Sequence, residues 1–335
     1  MRRRSVATIG AALLVLAGCG GGSDSESADS GGGGGTQSAP EVVRIVVPAD
    51  SGLFWDIYVA EEEGMFEANG IESEVTLTPG PAPTIAALSG GAADVGAPFA
   101  EQALAAMEQG APLSIFAGQS NRILATVVGA RDVTSAADLQ GQKVATSNVD
   151  DVVTILMDKA LAEEGLEAGD FDKIIVGSSG ERYQSLQSGA VGAVSLTAPI
   201  DRRALREGFP VLVEISEPGI LTAHFGTDEF LEERPEVAAA YVRSMQQAVE
   251  WLLDPANEER AVEILVDRTK VDPADAQATY DLYFAEDVFL EGSVVDEDLL
   301  ADTLAFLSST GRVNGTPDPA DYINRAALDA AAEQD

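Results

Sequence analysis

Cysteine is nearly absent from this 335-residue chain: Cys19 stands alone, so no disulfide can form within it. Histidine is as scarce, with His224 the single example, which leaves no histidine cluster for a zinc site and no recognisable Cys/His or Ser/His nucleophile motif. Positive charge is short too. Twenty Lys and Arg face fifty-six Asp and Glu, a formal net charge of −36, and the lysines are Lys143, Lys159, Lys173 and Lys270. Such a balance excludes nucleic acid and anionic membrane surfaces as partners, because both are polyanions. No Walker-type phosphate loop and no Gly-x-Ser-x-Gly elbow occurs. The acidity itself has two readings: adaptation to high salt, where screening over ~3 Å at 1 M removes self-repulsion, or an ordinary solvated surface in a lysine-poor protein.

What is present begins with an address. Arg2-Arg3-Arg4, the short apolar run Ser5 to Val15 and Leu16-Ala17-Gly18-Cys19 together resemble a bacterial lipoprotein signal ending in a lipobox. The expectation is a signal peptide over 1–18, a lipid on Cys19, and a flexible Gly/Ser leash over 19–41. No later apolar run approaches the ~20 residues that span a bilayer. The protein is thus expected to be exported and held on the extracytoplasmic face of the cell membrane through its N-terminal lipid.

Folding should start at Val42, where an almost continuous apolar run reads as a strand buried on both faces, followed by a loop over Ser51 to Trp55. The stretch Ile57 to Phe99 reads as a βαβ unit: a helix to Ala68 stopped at Asn69-Gly70, a strictly alternating strand over Ile71 to Leu77, a short helix Ile85 to Leu88 capped by Thr84, and a strand from Asp94 to Ala97. Strands joined this way are parallel, and ligands of open α/β sheets sit beyond their carboxyl ends. A second series of the same kind begins near Lys143. From Pro235 onward the chain reads as helices, with Val242, Met245, Val249 and Leu252 at helical spacing, and these must wrap the first series. The fold class is α/β, with two lobes.

The order of elements and the residues within them resemble bacterial extracytoplasmic solute-binding proteins of ABC importers, in the nitrate/sulfonate/taurine/thiamine-pyrimidine-precursor group. AEEEGMFEANGIESEV at 60–75, AALSGGAADVG at 86–96, DLQGQKVATS at 138–147, LQSGAVGAVSLTAP at 186–199 and FLEERPEVAAAYVRSMQQAVEWL at 230–252 carry the resemblance. Gly192 departs from it, standing where the family usually has Asp, and is read as a tolerated surface change. The resemblance implies the bilobed type II periplasmic-binding-protein fold: two open, mostly parallel sheets flanked by helices, with crossover strands near Ile123 to Val128 and Leu212 to Thr222. Lobe one would take 42–125 plus 220–335 and lobe two 126–219. It also implies a cleft that closes on a solute, delivery to an ABC permease and its ATPase, a monomer, and no cofactor or metal. A ligand-sensing receptor subunit of the same fold is the alternative. Thiamine pyrimidine synthases resemble this fold as well, but the shortage of Cys and His and the lipobox speak against an enzyme.

Candidate ligand-binding residues are those at strand ends and helix starts facing the cleft. They are Phe54 and Trp55, Pro98 and Phe99, Ser147 and Asn148, Ser178, Ser179 and Gly180 with Tyr183 one turn on, and Thr197. Arg122 and Arg182 could each clamp an anion, or serve as surface ion pairs. His224 is assigned no role. With Phe54, Trp55, Phe99 and Tyr183 near the cleft and few cations there, the sequence favours a planar or largely apolar solute, such as a pyrimidine, flavin or aromatic carboxylate, over nitrate or a small sulfonate.

Under the high-salt reading of the acidity, the melting temperature climbs steeply from dilute buffer to molar NaCl or KCl. A scan of melting temperature against salt checks it, and a flat profile removes that reading.

Overall fold

The computed structural model describes residues 39–149 and 151–333. The leader, Cys19 and most of the leash lie outside them. Among the described residues, ten strands follow one another: β1 (Glu41–Val47), β2 (Ile71–Leu77), β3 (Val95–Gly96), β4 (Leu113–Gly118), β5 (Arg122–Gly129), β6 (Lys143–Thr146), β7 (Asp172–Ile175), β8 (Ala193–Leu196), β9 (Val211–Pro218) and β10 (Ala223–Thr227). They build two five-stranded sheets, ordered β2-β1-β3-β10-β4 and β7-β6-β8-β5-β9. The orders follow one plan. A parallel trio is joined by an antiparallel strand, β10 in the first sheet and β5 in the second, and one edge strand completes the sheet.

The apolar run of β1 follows from its place between β2 and β3. Val43, Ile45 and Val47 enter one core cluster and Val46 the cluster on the other face. β2 lies at the sheet edge, so its alternation leaves Glu72 and Glu74 outward while Ile71 is buried. The helix expected over 57–68 is two: Trp55–Glu62 and Met65–Ala68, parted at Gly64, whose φ of 71° lies in the left-handed region. The helix expected from Ile85 runs instead over Pro81–Ser89. Pro81 and Pro83 fit its first turn, where amide protons have no intrahelical acceptor. Thr84 is therefore not its cap; it lies inside and bonds the Gly80 carbonyl (3.0 Å). Gly192 is not a surface position: it is buried, donates to Lys143 O (2.8 Å), and a side-chain carbon there would press on Gln142.

The C-terminal helices wrap lobe one as the periodicity required, and Val242, Met245, Val249 and Leu252 of the helix Pro235–Leu253 are buried in its core. No helix among the described residues is long and apolar enough to cross a membrane.

The chain passes from the first sheet to the second through 119–121 and returns through 219–222, and these segments lie side by side. Ser120 N donates to Thr222 O (3.4 Å), Thr222 N to Ser120 Oγ (3.2 Å), and Gly219 N to Asn121 O (3.0 Å). A third segment joins them: Asn121 N bonds Val288 O (3.1 Å) and Leu290 N bonds Gln119 O (3.1 Å). Arg122, a candidate ligand clamp, serves this hinge. Its Nε donates to Glu286 O (2.9 Å) and its Nη1 to Ser216 Oγ (3.2 Å), which holds its guanidinium among hinge groups.

The segment after β1 is not a loop. Gly52–Phe54 forms a 3-10 turn, and Trp55 opens a helix. Phe54 is fully buried and Trp55 is 1% exposed. The indole stands edge-on to Tyr280 and Tyr283, and its Nε1 donates to Ala261 O (3.0 Å). Both aromatics are core plugs, because their rings and the one indole donor are already spent on helices of the tail. Trp55→Ala therefore costs stability, about 3–5 kcal/mol. Urea unfolding at fixed salt measures it, and a variant of unchanged stability would return the indole to the cleft.

Candidate functional site

Lobe two presents helix starts to the cleft. Beyond β6, Ser147 donates to Asp151, and Asp151 Oδ1 accepts Thr154 N (2.7 Å) as the N-cap of the helix Val152–Glu163. Beyond β7, Ser178 caps the helix Ser179–Gln187 in a reciprocal box: its hydroxyl accepts Glu181 N (3.3 Å), and its own N–H donates to Glu181 Oε2 (2.8 Å). Beyond β8, Thr197 leads into a cis Ala198–Pro199 bond. Ser179 Oγ and Thr197 Oγ1 are 3.1 Å apart, and Thr197 N donates to Ser179 Oγ (3.3 Å).

Behind this pair lies Arg182, 5% exposed. Its Nε donates to Ser195 O (2.7 Å), Nη1 to Val176 O (3.2 Å) and Gly177 O, and Nη2 to Ser179 Oγ (3.0 Å). One guanidinium thus ties the ends of β7 and β8 to the head of the helix that carries it. Among the described residues it makes no ion pair. Burial pulls its pKa down to about 10, against the pull of Asp151 and Glu181 in the other direction.

Lobe one contributes Ser51, Phe99 and Glu101. Phe99 pairs with Thr222 of the hinge as an isolated bridge, and Ala100 N donates to Leu221 O (3.0 Å), so the helix Ala100–Glu108 hangs from the hinge. Hydrogen bonds join the lobes. Ser51 Oγ donates to Ala198 O (3.3 Å), Glu101 Oε2 accepts Val152 N (2.9 Å), and Arg206 of the helix Ile200–Arg206 donates from Nε and Nη2 to Asp275 Oδ1 and Oδ2 (2.6 and 2.8 Å) of the tail helix Pro273–Ala285. Arg312 Nη1 also donates to Glu101 Oε2 (3.2 Å). Burial, then repulsion from Asp151, pushes the Glu101 carboxyl up to about 7. At one end of the contact a cavity of about 710 Å³ is lined by Glu101, Gln102, Asn148 and Arg312 among others.

Of the residues expected from sequence, Ser147, Ser179, Thr197 and Phe99 are drawn to the two rims, and Asn148 is exposed at the mouth of that cavity. Ser178 is a capping residue. Gly180 has only Ser178 Oγ near its Cβ position, at an ordinary 3.9 Å, and needs no special conformation. Pro98 is buried under its own strand end. Tyr183 is corrected: it is 2% exposed, stands edge-on to Phe209 inside lobe two and donates to Glu207 Oε2 (2.6 Å), so its ring is not free to stack on a solute. His224 lies fully buried in lobe one, with Nε2 3.0 Å from Asp56 Oδ2 and Nδ1 3.0 Å from Tyr241 OH, beyond a solute's reach. Sequence reading missed Glu101, Arg312 and Asp151. Glu101 had a signal: it shares the inward face of its helix with Leu104, three residues on. Arg312 had none, being 211 residues from Glu101.

Two sheets of one plan, joined by paired crossovers with helix starts turned to the space between them, define the periplasmic-binding-protein fold. The chain belongs to the NMT1/THI5 like family, whose sequence model matches residues 53–258. No curated protein sequence matches it. Among solved structures, it is similar to the alkanesulfonate-binding protein SsuA from Xanthomonas axonopodis pv. citri bound to MOPS (16% identity, TM-score 0.70, covering 86% of this chain and 99% of that one). It is also similar to the periplasmic aliphatic sulphonate binding protein SsuA from Escherichia coli (17%, 0.64, 85% and 92%). An enzyme shares the fold: a DSZB C27S mutant in complex with biphenyl-2-sulfinic acid (13%, 0.67, 88% and 99%).

Arg182→Lys keeps the charge but cannot hold four acceptors with one ammonium. It lowers stability by about 1–3 kcal/mol. Urea unfolding checks this, and an unchanged midpoint would show the guanidinium contacts to be dispensable.

Proposed function

We propose that this chain is the extracytoplasmic solute-binding lipoprotein of an ABC importer. It takes a small organic anion, such as a sulfonate or carboxylate, between its lobes and delivers it to the permease and its ATPase. The observation that carries this reading is Arg182. Its buried guanidinium is hydrogen-bonded to no carboxylate and stands one hydroxyl away from the rim formed by Ser179 and Thr197, with Asp151 and Glu181 acting on it from further off. The helix Ser179–Gln187 adds its own unsatisfied N–H groups and dipole at the same place. The rings that favoured a planar solute are withdrawn, since Phe54, Trp55 and Tyr183 are core residues and Phe99 alone stays on a rim. Similarity in fold to two sulfonate-binding proteins supports an oxyanion as the class to test first.

Titration calorimetry of the full chain with methanesulfonate, taurine, benzoate and hydroxymethylpyrimidine tests the reading. An anion binds most tightly, and Ser179→Ala or Thr197→Ala weakens it by about 1 kcal/mol each. Heat from the pyrimidine alone would sink the anion assignment.

A further inference from the structure

Glu101 is the one carboxylate among the described residues that crosses from lobe one to accept a helix-start N–H of lobe two. It is the second residue of the helix Ala100–Glu108, 4% exposed, and its acceptor contact is to Val152 N, the first residue of the helix Val152–Glu163. That N–H has no acceptor within its own helix, so a carboxyl oxygen from outside supplies what it lacks. Arg312, on the segment after the helix Glu297–Ser309, fixes the same oxygen. The helix that bears Glu101 begins at the hinge bridge between Phe99 and Thr222, so the position of the carboxylate is tied to the angle between the lobes.

We propose that Glu101 is an interlobe latch: its carboxyl closes lobe one onto lobe two by occupying the Val152 N–H, and releasing it is part of opening the cleft. On the anion-binding reading above, an oxygen of the solute would compete for that same N–H, which makes Glu101 an internal competitor that selects against weak anions.

The charged groups facing Glu101 are Asp151, from the head of the lobe-two helix, and Arg312, from the C-terminal tail. Burial and Asp151 raise the latched carboxyl to about 7, whereas opening returns it to water and an ordinary value of about 4.3. The closed-state value is the raised one, so the latch is at full strength below about pH 4.3. It weakens as pH rises and levels off once pH passes about 7. Glu101→Gln keeps an oxygen for Val152 N–H and carries no charge, so its latch does not titrate.

Single-molecule energy transfer reads the latch without any solute. Dyes are placed at Glu72→Cys and Asp172→Cys, exposed positions on the edge strands β2 and β7 far from the hinge, in the full chain carrying Cys19→Ser. The open-to-closed ratio rises by up to roughly tenfold per pH unit between pH 5 and 7 in the otherwise unchanged chain. It is high at every pH in Glu101→Ala and low at every pH in Glu101→Gln. The same dye separation in all three chains at pH 5.5 and 8 would overturn the latch. Methanesulfonate titrated into the Glu101→Ala chain then tests the competition: tighter binding than with Glu101 present supports it, and equal binding overturns it. Binding to neither chain would count against the anion reading of the cleft, while the dye distances would still decide the latch.

Discussion

The structure depends on one returning strand and the two crossings it requires. β1 to β4 build the first sheet, β5 to β9 build the second in unbroken succession, and β10 follows them yet pairs inside the first. β5 and β10 are each hydrogen-bonded on both sides, and the chain crosses between the sheets immediately before each of them, at 119–121 and at 219–222. The crossings therefore lie beside each other and bond through Ser120 and Thr222. The third segment, through Val288 and Leu290, adds backbone bonds to the same line, and Gly118 has no room for a side chain against the Val294 carbonyl. Hinge position, cleft position and the facing of the helix starts all follow from where two strands pair.

That geometry was largely legible in the chain, since periodicity and punctuation are local. The alternation over Ile71 to Leu77 and the apolar stripe through Val242 and Leu252 each state one face of one element, and packing followed them. The helix limits misread around Gly64 and Pro81 were also local, but they turned on backbone rules that act at single residues: a left-handed glycine breaks a helix, and a proline begins one. Gly192 was misjudged because burial of a glycine depends on the strand beside it and on Gln142 across it, neither of which its neighbours reveal.

The site was less legible, and the reason is physical. An aromatic beside a strand end reads the same whether it faces a cleft or plugs a core; what decides is a partner such as Ala261, 206 residues from Trp55. Arg122 and Arg182 looked alike in sequence, each a cation near a strand end. Arg122 met Glu286 and Ser216 and became part of a hinge, whereas Arg182 met carbonyls and a hydroxyl and became buried inside lobe two.

Charge sharpens the contrast between the two rims. A buried guanidinium without an ion pair is costly, and Arg182 persists here because four acceptors hold it in place. The buried carboxylate of Glu101 in lobe one is costly for the same reason, and it is tolerated where a helix N–H and Arg312 converge on one oxygen. Each lobe thus buries one charge of its own. In lobe two the positive side is built into the fold, through contacts that do not depend on the angle between the lobes. The negative side is held partly by a contact across the cleft, so it changes whenever the lobes move. A cleft arranged this way couples opening to the hydration of a single carboxylate, and that coupling makes its closure sensitive to any anion that can stand in for Glu101.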